Sequence, residues 1–404
     1  MKIKTMLQTI TCILAFMLMT GCWNSRELNE LAIVTGIGID KVQDKDEYRI
    51  TFQIVNPSST ATSVGASTGQ PTISVYSATD KTLFGALRKT SKKAPRQLFF
   101  AHTQLVVIGE QMAKSGINEI FDVFERSHEL RLNTSVLVSR DADASTILKI
   151  LMPIESLPAV GIVKKVKNTT EIWGENSDIN VFELINRITG EGELSISGVR
   201  IIGEKEEGKK ISNLEQTEVK TLLSISGLGV FKKGKLIAWL EGSEAKGAVW
   251  VQNKIVQTTV NVNAEDSEAL VAVDINLSQT DINVELQDGV PIFHVHIQVE
   301  GKINEIRGFV DLSNGDEIEK LEMQLGKQTK EAVIQAIQVA QQLESDIFDF
   351  GNELKRIHPK EWKTVKEDWG SLFAIGKLDV RVEAFIRGTG MRLKPYLQSE
   401  DESN

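Results

Sequence analysis

The chain has 404 residues, enough for about two or three domains of ordinary size. A hydrophobic share of 41% and a charged share of 25% exclude wholesale disorder. The net charge of −9 excludes a general nucleic-acid binder, which needs clustered Lys and Arg.

The chain opens with Lys2 and Lys4, then an apolar run over 6–19, then Thr20-Gly21-Cys22. The run contains Gln8, Thr9 and Thr11 and is short for a membrane-spanning helix of ~20 residues. The order of charge, apolar run, small pair and cysteine predicts a lipoprotein signal peptide over 1–21, with lipid carried on Cys22. An ordinary signal peptide or a tilted anchor helix is the plainer alternative, and Met19 stands where Leu is favoured. Cys12 lies in the discarded run, so the mature chain keeps only Cys22 and forms no internal disulfide. Removing Lys2 and Lys4 with no acid takes the net charge from −9 to −11. Acyl chains, at ~0.8 kcal/mol per buried methylene, then hold the protein to the bilayer, not surface charge. Trp23 is a candidate contact at the headgroup level, or else packs on the first domain.

Period-two alternation predicts strands over 31–40, with Leu31, Ile33, Ile37 and Ile39 on one face, and over 48–55, joined as an antiparallel hairpin. Gly36 and Gly38 mark a bulge or a close backbone approach. The uncharged Ser/Thr-rich stretch 57–71 predicts a mobile loop. A strand over 72–77 leads to a helix capped at Thr79 or Asp80, carrying Leu83, Phe84 and Leu87. A strand over 98–109, a helix over 117–126, a strand over 134–140, a short helix over 143–151, a helix over 178–188 and a strand over 194–202 follow, the alternation of an α/β layer. Residues 203–220 lack periodicity and predict a boundary or a solvated connection. Beyond lie a hairpin over 228–240, a helix over 243–250, and strands over 258–263, 269–277, 282–286 and 292–303. A long amphipathic helix is expected from 313 to 357, interrupted at Gly326, ended by Pro359 and laid across the adjacent sheet, with a two-helix coiled coil as the alternative. A strand over 378–387 and a disordered tail over 396–404 complete the chain. The expected fold is α+β: about three mixed α/β domains with mixed or antiparallel sheets and flanking helices, at 22–205, 206–255 and 256–395.

Chemistry is sparse. His294 and His296 share one strand face, but Phe293, Val295 and Ile297 take the inward positions and no third ligand is implied, so a solvated face is expected in place of a metal site. Asp346, Asp349 and Glu353 read as a solvated acidic stripe on the long helix. His102, beside an apolar strand, is either a satisfied histidine at a sheet end or a partner contact. Gly36-Ile37-Gly38 and Gly227-Leu228-Gly229 lack the context of a dinucleotide fingerprint, and no G-x-S-x-G elbow exists. No catalytic, cofactor or metal residues are assigned.

Four blocks carry a resemblance: GCWNSRELNELAIVTGIGID at 21–40, FFAHTQLVVIGEQMAKSGINEIFDVFERSHELRLNTSVLV at 99–138, GLGVFKKGKLIAWLEGSEAKGAVW at 227–250, and ESDIFDFGNELKRIHPKEWKTVKEDW at 344–369. They resemble the Ger(x)C family, the C-subunit lipoproteins of spore nutrient germinant receptors. Residues 125–129 depart from the expected Asp-Pro-like stretch, which bears on subtype. The resemblance implies three α/β domains and a non-enzymatic subunit, lipid-anchored through diacylglyceryl-Cys22 on the extracytoplasmic face of the spore inner membrane. It implies two integral membrane partners, the A- and B-type subunits, and an assembly that responds to a small-molecule germinant. The competing reading is a solute-binding lipoprotein that takes the germinant directly, through a pocket between domains.

Overall fold

The computed structural model describes residues 3–6, 27–43, 45–56, 71–127, 129–190, 192–264 and 269–390. Cys22, Trp23, the expected loop over 57–71 apart from Pro71, and the expected tail lie outside them. The fold is mixed α+β, with mixed sheets and flanking helices, as expected.

The first sheet runs β3 (Ile73–Asp80), β2 (Tyr48–Val55), β1 (Leu31–Lys41), β5 (Leu105–Ile108), β6 (Ser135–Arg140), β7 (Ser195–Ile202), β8 (Leu222–Lys232) and β9 (Lys235–Leu240), with β4 (Gln97–Phe99) beside the start of β1. Strands β1, β5, β6 and β7 are parallel neighbours, and antiparallel strands extend both ends. Period-two alternation sorts β5 between two cores. Val106 and Ile108 face α1 (Leu83–Lys89), α2 (Glu110–Ser115), α3 (Asn118–Arg126) and α6 (Val181–Thr189). Leu105 and Val107 face α4 (Ala144–Ile147) and α5 (Pro158–Ile172) on the opposite side.

Strand β1 departs from simple alternation. Its register shifts between Val34 and Gly36, so Ala32 and Val34 share a face with Ile37 and Ile39, and Leu31 and Ile33 do not. Gly36 and Gly38 then turn toward α4 and α5, where an added Cβ would lie 2.9 Å from Ala159 Cβ and 3.0 Å from Leu148 Cδ1. Both the bulge and the close approach are present.

The strand expected over 98–109 is broken. β4 pairs with Leu31–Ile33, β5 with residues from Gly36 onward, and residues 100–104 detour between them. The first helix is capped by Thr82, whose Oγ1 accepts from Gly85 N at 3.0 Å, two positions past Asp80, because β3 runs on through Asp80. Helix α2 precedes the expected helix α3, separated from it by Gly116 at φ 128°. The connection after β7 is largely exposed, as expected, but is pinned at two buried points: Gly208, which ends α7 (Lys205–Gly208), and Asn213, whose Nδ2 donates to Leu151 O at 3.3 Å and Thr221 O at 2.9 Å.

The second sheet runs β10 (Thr258–Asn263), β11 (Leu270–Gln287), β12 (Val290–Arg307) and β13 (Lys377–Gly388), the last pair parallel. The two strands expected over 269–286 are one. A bulge between Ile275 and Leu277 turns Leu277 outward, 58% exposed, which breaks the alternation without breaking the ladder. Asp288 and Gly289, both with positive φ, close the β11–β12 hairpin.

Against this sheet lie α8 (Gly242–Val251), α9 (Gly315–Gln342), α10 (Phe350–Ile357), α11 (Pro359–Val365) and α12 (Trp369–Ile375). The helix expected to reach 357 ends at Gln342, and Gly326 lies uninterrupted inside α9. The break falls at 343–349, where Glu344 and Asp349 adopt φ of 51° and 67°. Pro359 also opens α11 at its first position, where a missing N–H is harmless.

Helices α8 and α9 touch through Gly247, where a Cβ would fall 2.1 Å from the carbonyl oxygen of Ala332. Alanine gains ~1 kcal/mol of helix propensity over glycine. Overpacking against backbone costs about 1–3 kcal/mol or more, and a carbonyl cannot move aside as a side chain does. The clash with backbone puts the net cost at about 2 kcal/mol, so Gly247→Ala is expected to lower the melting temperature by roughly 2–3 °C in calorimetry. An unchanged or raised value would show that the helices separate freely.

Candidate functional site

His102 sits where the parallel strands begin. It belongs to the turn over 100–104, which meets the loop preceding β6. Buried threonines lock the two together. The single proton of Thr134 Oγ1 is shared between Arg131 O at 2.9 Å and Thr103 O at 3.2 Å, and Thr103 Oγ1 donates to Val34 O at 3.4 Å. Backbone bonds continue the lock: Gln104 N donates to Thr35 O, and Ser135 N to Gln104 O, both at 3.0 Å. Helix α5 passes alongside, presenting Val163 and Lys167 one turn apart on one face.

These elements enclose a cavity of about 380 Å³, lined in part by His102, Gln104, Arg131, Asn133, Ser135 and Lys167. No described acidic residue lines it. His102 is exposed, its ring tilted against Phe99 at 5.8 Å between centroids, and it makes no hydrogen bond from its ring among the described residues. A second hollow of about 460 Å³ shares Ala101 and Arg131 and includes Glu129, which pairs with Arg88 at 3.0 Å. Sequence reading singled out His102 but missed Arg131 and Lys167, the charged residues that give the cavity its sign.

At the other end of β1, Asp40 is buried. Its carboxylate accepts from Ala144 N at 2.7 Å and Ser145 N at 3.0 Å, tying the strand to α4. Desolvation pushes its pKa up to about 6, against the lowering effect of those two N–H groups.

His294 and His296 face outward from β12, between the buried Phe293, Val295 and Ile297, as the alternation requires. Each meets an acid of β13: His294 Nδ1 to Asp379 Oδ2 at 3.0 Å, and His296 Nε2 to Glu383 Oε1 at 3.3 Å. The His294 bond, then Arg381, holds the Asp379 carboxyl below its ordinary pKa. The described residues contain no group of three or more His, Cys, Asp or Glu placed to hold a metal ion. Nor does any described hydroxyl hydrogen-bond a histidine.

Asp346 corrects the expected acidic stripe. It is fully buried, in the break after α9. Its Oδ1 accepts from Phe348 N and Phe350 N, both at 3.2 Å, and its Oδ2 from Gly351 N at 2.7 Å and Trp369 Nε1 at 2.9 Å. Burial pushes its pKa up while these donors pull it back. The same break docks on the first sheet and on α6. Ser345 Oγ donates to Phe231 O at 2.6 Å, Lys232 pairs with Glu344 at 2.8 Å, and Arg187 pairs with Asp349 at 2.6 Å. Gln252 Nε2 bridges Ser195 Oγ and Ile347 O, both at 3.0 Å.

Comparison with known proteins covers both halves of the chain. Residues 24–201 match the family described as the spore germination protein N-terminal domain, and residues 226–390 the one described as spore germination B3/GerAC like, C-terminal. Spore germination protein KC of Bacillus subtilis (strain 168) is 32% identical over 97% of this chain and 98% of its own. Spore germination protein YndF of the same organism is 25% identical over 96% of this chain and 98% of its own. The crystal structure of the GerBC protein superposes with a TM-score of 0.56 at 18% identity, covering 87% of this chain and 97% of that one, and so shares the fold. With two family domains that together span most of its length, the chain belongs to the Ger(x)C family of spore germination proteins.

Proposed function

We propose that this chain is a lipid-anchored, non-enzymatic subunit of a spore nutrient-germinant receptor, required for receptor assembly and for the response to nutrients. The observation that carries the reading is near end-to-end similarity to spore germination protein KC, covering both family domains. Cys22 is the proposed lipid attachment point, on the extracytoplasmic face of the spore inner membrane. The A- and B-type integral membrane subunits are the proposed partners. Among the described residues, no helix is long and apolar enough to cross a membrane. Tethering confines the search for a partner to the membrane surface and raises effective concentration. Two residues are proposed for that contact: Trp23, next to the anchor in sequence, and His102, exposed at the sheet end.

Crosslinking in isolated spore inner membranes tests the reading. The expected adducts contain two multi-spanning membrane proteins, in comparable amounts. Recovery of the chain only as a free species, or joined to a soluble protein alone, would refute receptor membership.

A further inference from the structure

We propose that the cavity beside His102 is an oxyanion site, taking a phosphate or carboxylate group. This goes beyond the receptor reading and does not depend on it. Two cations from different elements line one depression: Arg131 from the loop before β6 and Lys167 from α5. Neither side chain has an ion pair or hydrogen bond among the described residues, whereas Arg88, Arg187 and Lys232 are all paired. In a chain of net charge −9, two uncompensated cations in one hollow create a local field of the opposite sign. Gln104 and Asn133 add amide donors, Ser135 a hydroxyl, and His102 an imidazole, the donor set that an oxyanion accepts from. Glu129, the acid of the adjoining hollow, is already engaged by Arg88.

The site is also preorganised. The turn holding His102 and the loop holding Arg131 are joined through the buried Thr103 and Thr134, so little ordering remains to be done on binding. The volume of about 380 Å³ falls within the range of small-ligand sites, ~300–1,000 Å³. Gln104 lies against Thr35, and the stretch from Cys22 to Thr35 extends at most roughly 45 Å. A free anion and the phosphate of a lipid headgroup both come within reach, and both present the same oxygens.

The test uses the chain from Trp23 onward, since every described buried core residue lies at Ala32 or later, and this form carries no lipid. Calorimetric titration with inorganic phosphate and with glycerol phosphate probes the free anion. Flotation with phosphatidylglycerol vesicles probes the headgroup. Arg131 and Lys167 are exposed, so Arg131→Gln with Lys167→Gln is expected to keep the wild-type melting temperature and to weaken binding about tenfold or more. Lys330→Gln, a remote exposed position on α9, is the charge control and is expected to bind as the wild type. Binding of the free anions that the double variant loses supports a soluble ligand at the site; vesicle binding alone, lost in the same way, supports the headgroup. No binding of any probe, or an equal loss in Lys330→Gln, overturns the proposal. Because the tested form lacks the lipid, failure here leaves anchoring through Cys22 untouched.

Discussion

Asp346→Ala is expected to destabilise the protein by about 3 kcal/mol, among the largest effects of any single substitution outside the apolar cores. Four donors converge on this carboxylate: the backbone N–H of Phe348 in the turn, those of Phe350 and Gly351 at the start of α10, and the indole of Trp369. Alanine leaves all four without their acceptor in a buried site, at roughly 1–3 kcal/mol each before water enters the space. Relief of the carboxylate's own desolvation, which pushes its pKa up, offsets part of that cost. Asp346→Asn keeps one acceptor oxygen but turns an NH₂ toward N–H groups, so its loss is expected to be intermediate. Denaturant unfolding with a shared m-value measures both. A loss below about 1 kcal/mol for Asp346→Ala would mean that the turn holds its shape without the carboxylate. The consequence reaches beyond the turn, because Glu344 and Ser345 within it carry the contacts to Lys232 and Phe231 on the first sheet, and Asp349 the contact to Arg187 on α6.

The position of Asp346 also shows where sequence reasoning fails. Spacing of three and four continues from Val333 through Leu354, so periodicity alone runs one helix through the break. The chain instead leaves the helix at Gln342 and re-enters at Phe350, with nearly the same apolar phase, because a buried carboxylate replaces helical acceptors for three N–H groups. Asp346 resembled a surface residue because an isolated Asp usually is one; the indole that satisfies it lies 23 residues away. The bulges in β1 and β11 misled in the same way. One extra residue reverses the inward face, so Leu31 and Ile33 leave the face of Ile37, and Leu277 leaves that of Ile275.

Local signals served well where neighbours in sequence are neighbours in space. The β1–β2 and β8–β9 hairpins follow directly from alternation and turn chemistry, and α8 lies where the sequence placed it, starting one residue earlier than Ser243. Helix α5 was legible but passed over: Pro158 stands at its first position, and Ala159, Ile162, Val163 and Val166 form its buried stripe. That omission hid Lys167 and with it half the charge of the His102 cavity. The cavity itself was not readable, since its lining comes from a turn, a loop and a helix that only the parallel strand order brings together.

Cys22→Ala is expected to have the largest effect on function. Alanine cannot carry the thioether, so both proposed acyl chains are lost, and with them ~0.8 kcal/mol per buried methylene. A mature net charge of −11 opposes adhesion to anionic headgroups, and no described helix is able to span the bilayer. Loss of the tether also removes the gain in effective concentration that membrane confinement gives the partner search. The decisive measurement is made on spores carrying Cys22→Ala in place of the wild type: the share of the protein in the inner-membrane fraction, read together with the germination response to individual nutrients. The variant is expected to be depleted from that fraction, and the response to at least one nutrient to fall. Full retention with an unchanged response would contradict a receptor subunit held through Cys22.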